Sequence, residues 1–171
     1  MSIEELALST GSSALEDRAT GWLDEKFHRH FREILTHTAA RYALVAPVYC
    51  LMPDHIHVLF WGRCDDSDAY LAARFLRKHT ARELAPAHYQ KQAYDHVLSE
   101  NQLNRDAFEA ICFYILENPV RAKLCGSAKD YSFSGSIIPG YPDLDCHEEG
   151  YCELFWKILH RLTAAATERP T

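Results

Sequence analysis

Long hydrophobic runs and paired cysteines are both missing from this sequence of 171 residues. No segment is apolar over the roughly 20 residues that a helix needs to cross a bilayer, which argues against a membrane-spanning protein. The N-terminus has no positively charged region followed by an apolar one, so we expect no secretory signal. Internal repeats and low-complexity segments are also absent. These features predict a cytoplasmic protein with one compact domain.

The cysteines are scattered and none forms a CxxC pair. They are Cys50, Cys64, Cys112, Cys125, Cys146 and Cys152. A zinc finger or a zinc deaminase needs closely spaced cysteine pairs, so the pattern argues against both. We expect reduced thiols rather than a disulfide framework.

Positive charge is scarce: 18 lysines and arginines face 24 acidic residues, which gives a net charge of −6. Phosphate contacts dominate the affinity of proteins for nucleic acids, so such a chain is a poor non-specific DNA binder. Much of the acidic charge lies near the two ends of the sequence. A DNA-binding function therefore requires a local basic surface in the central part.

The hydrophobic pattern predicts an α+β fold. Helices are predicted at about 24–42, 67–84, 104–117 and 150–163, two buried strands at 43–51 and 55–61, and weaker strands at 3–10 and 91–98. Asp24 and Ser67 are the expected N-caps of the first two helices. The order of elements predicts a ferredoxin-like (RRM-like) antiparallel sheet with helices on one face, plus a C-terminal helix.

Two histidines on the second buried strand are candidate metal ligands. Residues i and i+2 of a strand point to the same face, so His55 and His57 project together. Two polar residues on a solvated strand face are the other interpretation. The apolar sequence VLFW that follows favours an interior strand, where buried imidazoles need partners. We therefore favour a site for a divalent metal.

A tyrosine on the third helix is a candidate nucleophile. Tyr114 is rotated by about 130° from the apolar stripe of that helix, at ~100° per residue. Asn118 lies one turn further on the same side. A surface tyrosine with a solvated hydroxyl is the alternative, and the position by itself favours that interpretation.

Four segments in this order resemble the single-tyrosine HUH transposases, and most closely the REP-associated tyrosine transposases. They are YCLMPDHIHVLFWG (49–62), YDHVLSE (94–100), FYILENPVRAKL (113–124) and DYSFSGS (130–136). The first is similar to the family's MPxHxH strand and the third to its YIxxNPVRAGL segment. The resemblance covers roughly residues 22–136. Lys123 stands where relatives often have glycine.

The resemblance implies a role for each matching residue. Tyr114 would be the nucleophile of a DNA endonuclease and strand transferase, forming a 5′-phosphotyrosine link and releasing a 3′-hydroxyl. His55 and His57 would bind Mg²⁺ or Mn²⁺, and Asn118 would be a polar third ligand. The substrate would be single-stranded or hairpin DNA. Residues 1–136 would form the catalytic domain and 137–171 an extension, with one helix and a disordered tail, in a monomer or a homodimer.

Basic residues in the central part supply a possible DNA surface. The candidates are Arg74, Arg77, Lys78, Arg82, Arg121 and Lys123. The first four lie on the second predicted helix, opposite its apolar stripe. An ordinary solvated helix face is the commoner meaning of such a pattern.

Three functions remain open at this point. The first is the active nuclease and strand transferase. The second is a domesticated or inactive nucleic-acid-binding module with the same fold. The third is an unrelated metal-dependent hydrolase, in which water rather than Tyr114 is the nucleophile.

Overall fold

The computed structural model describes residues 8–91, 94–98 and 104–167, and their side chains within 13–91 and 104–164. Five strands form one antiparallel sheet in the order β4-β1-β3-β2-β5. They are β1 (Leu8–Ala14), β2 (Leu44–Met52), β3 (His55–Gly62), β4 (Tyr94–Leu98) and β5 (Ser134–Ile137). The first four follow the predicted ferredoxin-like plan, so the α+β fold class is confirmed.

In the described part of the chain, five α-helices accompany the sheet. They are α1 (Glu25–Arg41), α2 (Ala69–Thr80), α3 (Arg105–Leu116), the short α4 (Asn118–Arg121) and α5 (Tyr151–Thr167). Within the described ranges, no helix has the length and apolar character needed to span a membrane.

The N-caps fix where the first two helices begin. The Asp24 carboxylate accepts a hydrogen bond of 2.7 Å from the Phe27 amide, as predicted. The second prediction was wrong by one residue, because Asp68 caps α2 with a 2.7 Å bond from the Leu71 amide. The Ser67 hydroxyl instead donates to the Ala43 carbonyl at 2.7 Å, which ties the loop before α2 to the start of β2.

The sheet buries both of its faces. On one face α1 and α2 pack on alternate residues of the central strands, including Ile56, Val58 and Phe60. On the other face Phe108 of α3 and Phe155 of α5 pack around Trp61. The prediction of helices on one face therefore holds for α1 and α2 but is wrong for α3, and the predicted C-terminal helix, α5, lies on the same face as α3. The near-continuous apolar runs of β2 and β3 require cover on both sides.

The two ends of the chain depart from the sequence prediction. The first strand continues to Ala14, although residues 11–14 were expected to be a loop, and the predicted residues 3–7 lie outside the described part. Strand β5 was not predicted and crosses the proposed domain boundary at 136. Helix α5 completes a core that it shares with α3. The proposed domain boundary at 136 therefore stays a prediction about function. The tail that was expected to be disordered falls partly on residues 168–171, which lie outside the described residues.

Lys123 follows α4 in a left-handed conformation, with φ of +59°. Its amide donates to the Val120 carbonyl at 2.9 Å, and the Leu124 amide donates to the Pro119 carbonyl at 2.9 Å. These two bonds form a Schellman motif, in which the left-handed position favours glycine.

We expect Lys123→Gly to raise the free energy of unfolding by about 0.5–1 kcal/mol, because it removes the steric cost of a left-handed Cβ. Urea denaturation measures the change. Ala122→Gly is the matched control: Ala122 has a helical φ of −79°, so extra chain entropy should lower its stability by up to about 1 kcal/mol. Equal destabilisation by both substitutions would contradict the prediction.

Candidate active site

The histidine pair lies on the central strand of the sheet. β3 pairs with β1 on one side and β2 on the other, and the turn at residues 53–54 joins it to β2. His55 and His57 point to the same face as Leu59 and Trp61, towards α3 and α5. Their Nε2 atoms are 2.9 Å apart, and the rings are nearly perpendicular at 88°. The period of two therefore brings the imidazoles together as predicted.

Asp54 fixes the orientation of the first imidazole. Its Oδ1 accepts a hydrogen bond of 2.6 Å from Nδ1 of His55, and its Oδ2 accepts one of 2.7 Å from Arg18. Partial burial alone would raise the pKa of the Asp54 carboxyl, but the bonds from His55 and Arg18 outweigh it and lower the pKa below the ordinary value. Asp54 is therefore ionised at neutral pH and holds the proton of His55 on Nδ1.

His57 is a partly buried imidazole. Burial lowers its pKa from 6.5 to about 4, and the electrostatic effects of His55 and Arg121 act in the same direction. His57 is consequently neutral near pH 7. A neutral imidazole has a free lone pair on one ring nitrogen, which is the form that binds a metal.

We expect the free energy of unfolding to fall as the pH drops from about 6.5 towards 4. In this interval His57 takes up a proton in the unfolded chain but not in the folded one, so protons favour unfolding. Burial and Arg32 lower the pKa of His28 to about 4 as well, which adds to the effect. Each histidine contributes at most about 1.4 kcal/mol per pH unit.

Urea midpoints measured between about pH 7 and pH 5 in EDTA test this expectation. His57→Gln removes one of the two groups, so its stability should depend less steeply on pH than that of the wild type. An unchanged slope in His57→Gln would show that this imidazole titrates normally in the folded protein.

Tyr114 lies on α3 beside the histidine pair. The centre of its ring is 6.5 Å from that of His57, and the two planes meet at 79°. The apolar side of α3 packs into the core through Phe108, Cys112 and Ile115, which leaves Tyr114 56% exposed. A phenol that borders an imidazole pair and solvent can meet a substrate that approaches from outside.

Arg121 stacks against the tyrosine, a contact that the sequence did not reveal. Its guanidinium carbon lies 4.3 Å from the centre of the Tyr114 ring, and Nη2 donates to the Tyr114 carbonyl at 2.7 Å. The backbone stays in the right-handed helical region at Glu117, between α3 and α4, so Arg121, seven residues after Tyr114, lies about two helical turns further along. Arg121 thus places a positive charge next to both the phenol and His57.

Asn118 is engaged within the turn between α3 and α4. Its amide nitrogen donates to the carbonyls of Tyr114 and Ile115 at 3.2 and 3.3 Å, and its oxygen accepts from Arg121 at 3.0 Å. In this arrangement the side chain stabilises the turn. As the predicted third ligand, its oxygen would use its second lone pair, because an amide oxygen has two.

The predicted basic residues divide between the two faces of the sheet. Arg121 and Lys123 follow α3, on the face of the histidine pair. Arg74 and Lys78 line a groove on the other face, the α2 groove, which extends between Arg41, Tyr70, Lys78 and Lys91.

The other two predicted residues of α2 have different surroundings. Arg77 also borders the α2 groove, but its Nη2 donates to the Gln90 carbonyl and its guanidinium covers the Tyr89 ring at 4.9 Å. Arg82 is exposed in the turn that follows α2. The single basic surface expected from the sequence is therefore not formed by α2 and α4 together.

A second group of possible ligand atoms lies before α5. Atoms of Asp145, Cys146 and His147 are within 4.8 Å of one another. Burial raises the pKa of the Cys146 thiol to about 12, so it stays protonated at neutral pH, and Nε2 of His147 is already bonded to the Ser134 hydroxyl at 2.9 Å. All six cysteines are free thiols. This group is a weaker candidate for a metal than the histidine pair.

The histidine pair fits a divalent cation by its spacing and its chemistry. Ligand atoms about 2.1 Å from an ion and at right angles to each other are about 3 Å apart, close to the 2.9 Å between the two Nε2 atoms. His57 is neutral, and Asp54 fixes the tautomer of His55, as second partners of metal-bound histidines do. Two nitrogen donors leave the remaining positions for oxygen ligands or substrate.

The fold and this site define an α+β protein whose central strand presents a histidine pair to a helix that carries a tyrosine. No family model and no curated protein matches the chain. Among solved structures, the chain is similar to a REP-associated tyrosine transposase bound to a REP hairpin, with a TM-score of 0.62, 18% identity and 75% coverage of each chain. At this identity the similarity shows a shared fold.

Proposed function

We propose that the chain is a metal-dependent, single-strand DNA endonuclease and strand transferase that uses Tyr114 as its nucleophile. The observation that carries the proposal is the position of the Tyr114 ring, 6.5 Å from His57 and next to a pair of imidazoles whose Nε2 atoms converge. The solved structure with the similar fold is a transposase bound to a DNA hairpin, which supports the same class of activity and partner.

In the proposed reaction the Tyr114 oxygen attacks the scissile phosphorus. A bond forms between the phenolic oxygen and phosphorus, the bond to the 3′ oxygen breaks, and the phenolic proton is lost while the 3′ oxygen gains one. The product is a 5′-phosphotyrosine and a free 3′-hydroxyl, and the reverse reaction rejoins a strand without ATP. Arg121 lies where it can offset the negative charge of the phenolate and the phosphate.

His55 and His57 are the proposed ligands of Mg²⁺ or Mn²⁺, which would polarise the scissile phosphate as a Lewis acid. Asn118 remains the proposed third ligand. Arg121 and Lys123 are the proposed DNA contacts beside the site. Further proposed contacts lie on α2 and in the turn that follows it: Arg74, Arg77, Lys78 and Arg82. A single-stranded or hairpin DNA is the expected partner.

A covalent adduct on a denaturing gel tests the proposal. A hairpin oligonucleotide labelled at its 3′ end should be transferred to the protein in the presence of Mn²⁺. The same oligonucleotide labelled at its 5′ end should give a shorter free product that a polymerase can extend, because it ends in a 3′-hydroxyl. Transfer of the 5′ label to the protein would contradict the proposed polarity.

A DNA-binding module without cleavage activity is the second candidate. It is favoured by the hydrogen bonds that hold the side chain of Asn118, the predicted third ligand, within the turn between α3 and α4. This function predicts binding of hairpin or single-stranded DNA with no adduct for either labelled end, across varied sequences.

A further inference from the structure

The α2 groove lies on the opposite face of the sheet from Tyr114. Helix α2 packs through Ala72 and Leu76 on the face that carries Ile56 and Val58, whereas His55 and His57 project from the other face. The groove is open to solvent and has a volume of about 790 Å³. The proposed chemistry at Tyr114 does not use it.

The groove concentrates positive charge in an acidic protein. Five lysines and arginines line it: Arg41, Arg74, Arg77, Lys78 and Lys91. None of the described residues that line it carries a carboxylate, although the chain has a net charge of −6. A ligand with several negative charges is therefore the chemical class that fits the groove.

Aromatic rings are interleaved with these cations. Tyr70 is 63% exposed, and the guanidinium of Arg74 lies 5.7 Å from its ring centre. Arg41 lies 5.6 Å from each of the rings of Tyr42 and Phe75. Exposed rings beside arginines are the arrangement on which unpaired bases stack while the cations contact the phosphates.

We propose that the α2 groove binds an unpaired segment of the DNA substrate. A base stacks on Tyr70, and Arg41, Arg74 and Lys78 contact the adjacent phosphates. Paired bases cannot stack in this way, because their faces are covered by neighbours within the duplex. The choice of DNA rather than RNA rests on the proposed function, whereas the choice of an unpaired strand rests on the groove itself.

A DNA substrate that uses both sites must be long enough to reach both faces of the sheet. A strand that reaches both Tyr114 and the α2 groove has to pass round an edge of the sheet. Lys91, which lies shortly before the edge strand β4, marks one such route. A hairpin with a long single-stranded flank should therefore bind more tightly than the same hairpin without a flank.

Fluorescence anisotropy with a labelled oligo(dT) of about 20 nucleotides tests the proposal. All measurements use the full chain with Tyr114→Phe and no metal, so they do not depend on cleavage. Tyr70→Ala should weaken binding about tenfold and Tyr70→Phe should restore it, because phenylalanine keeps the stacking surface. Arg74→Ala with Lys78→Ala should reduce the slope of log affinity against log salt by about 1.4, or about 0.7 for each lost phosphate contact.

Arg29→Ala is the matched control, since Arg29 is 73% exposed on α1 but lies outside the groove. Its affinity for oligo(dT) should be close to that of the parent. Unchanged affinity in Tyr70→Ala overturns the proposal, as does an equal loss of binding to a blunt duplex. Tighter binding to oligo(U) than to oligo(dT), lost with the same substitutions, overturns DNA as the partner. If the groove binds DNA but the wild-type protein never forms an adduct, only the proposed cleavage is refuted.

Discussion

Tyr114→Phe is expected to abolish the covalent protein–DNA adduct, lowering its rate of formation by at least about 10³-fold. The substitution removes one oxygen atom, the one that would bond to phosphorus, and keeps the ring. Phenylalanine retains the stacking on Arg121, which lies 4.3 Å from the ring centre. Because the side chain is 56% exposed, the free energy of unfolding should change by no more than about 0.5 kcal/mol.

Tyr141→Phe is a matched control for the loss of a hydroxyl. Tyr141 packs against the core that α5 shares with α3, and it lies outside the candidate site. Adduct formation should persist in this variant. The comparison is made with the hairpin labelled at its 3′ end, in Mn²⁺, on a denaturing gel.

The Tyr114→Phe variant also separates the three functions that the sequence left open. Loss of both adduct and cleavage supports the tyrosine nucleophile. Cleavage without an adduct, in this variant and in the wild type, identifies water as the nucleophile and the chain as a hydrolase. Binding without cleavage in the wild type leaves a DNA-binding module.

The histidine pair could be predicted because its geometry is local. An interval of two residues on a strand determines which face both side chains share, whatever surrounds them. The position of Tyr114 on its helix followed in the same way from helical periodicity. Their proximity depends on how α3 packs on the sheet, and only the resemblance to a known family suggested it.

Two partners of these residues were not predicted. Arg18 reaches Asp54 from a turn 36 residues earlier in the sequence, a separation that no periodicity encodes. Arg121 follows Tyr114 by seven residues, which is about two helical turns. Because the predicted helix ended at 117, the sequence did not place Arg121 beside the phenol.

The distribution of helices was misjudged for a different reason. The sequences of β2 and β3 are apolar on both faces, and this pattern already indicates a sheet covered on both sides. The ferredoxin-like plan accounts for α1 and α2 alone. The prediction of a single basic surface was wrong as well. The basic residues lie in one central part of the sequence, but the sheet divides them into two separate surfaces.

His57→Ala is expected to abolish cleavage, with a loss of at least about 10²-fold, and to leave the fold intact. Burial keeps His57 neutral at pH 7, which is the state in which an imidazole binds a metal. Its removal also breaks the 2.9 Å contact with His55. An alanine there creates little strain, since the strand pairs on both sides through its backbone.

The metal assignment has a readout that does not require cleavage. Mn²⁺ should raise the melting temperature of the wild type, because an ion that binds only the folded state stabilises it. The increase should disappear in His57→Ala and persist in His37→Ala, whose histidine is exposed on α1. Asp54→Asn should weaken Mn²⁺ binding by about 10- to 100-fold, since it removes the charged partner of His55.

If Mn²⁺ stabilises His57→Ala as much as the wild type, the ion binds at another site. The next group to test is then Asp145, Cys146 and His147. If His57→Ala cleaves DNA at the wild-type rate, the imidazole pair takes no part in the reaction. The two measurements are independent, because one reports on an ion and the other on a reaction. The proposed mechanism requires His57→Ala to lose both the stabilisation by Mn²⁺ and the cleavage of DNA, since a phenol is a weak nucleophile without a polarised phosphate beside it.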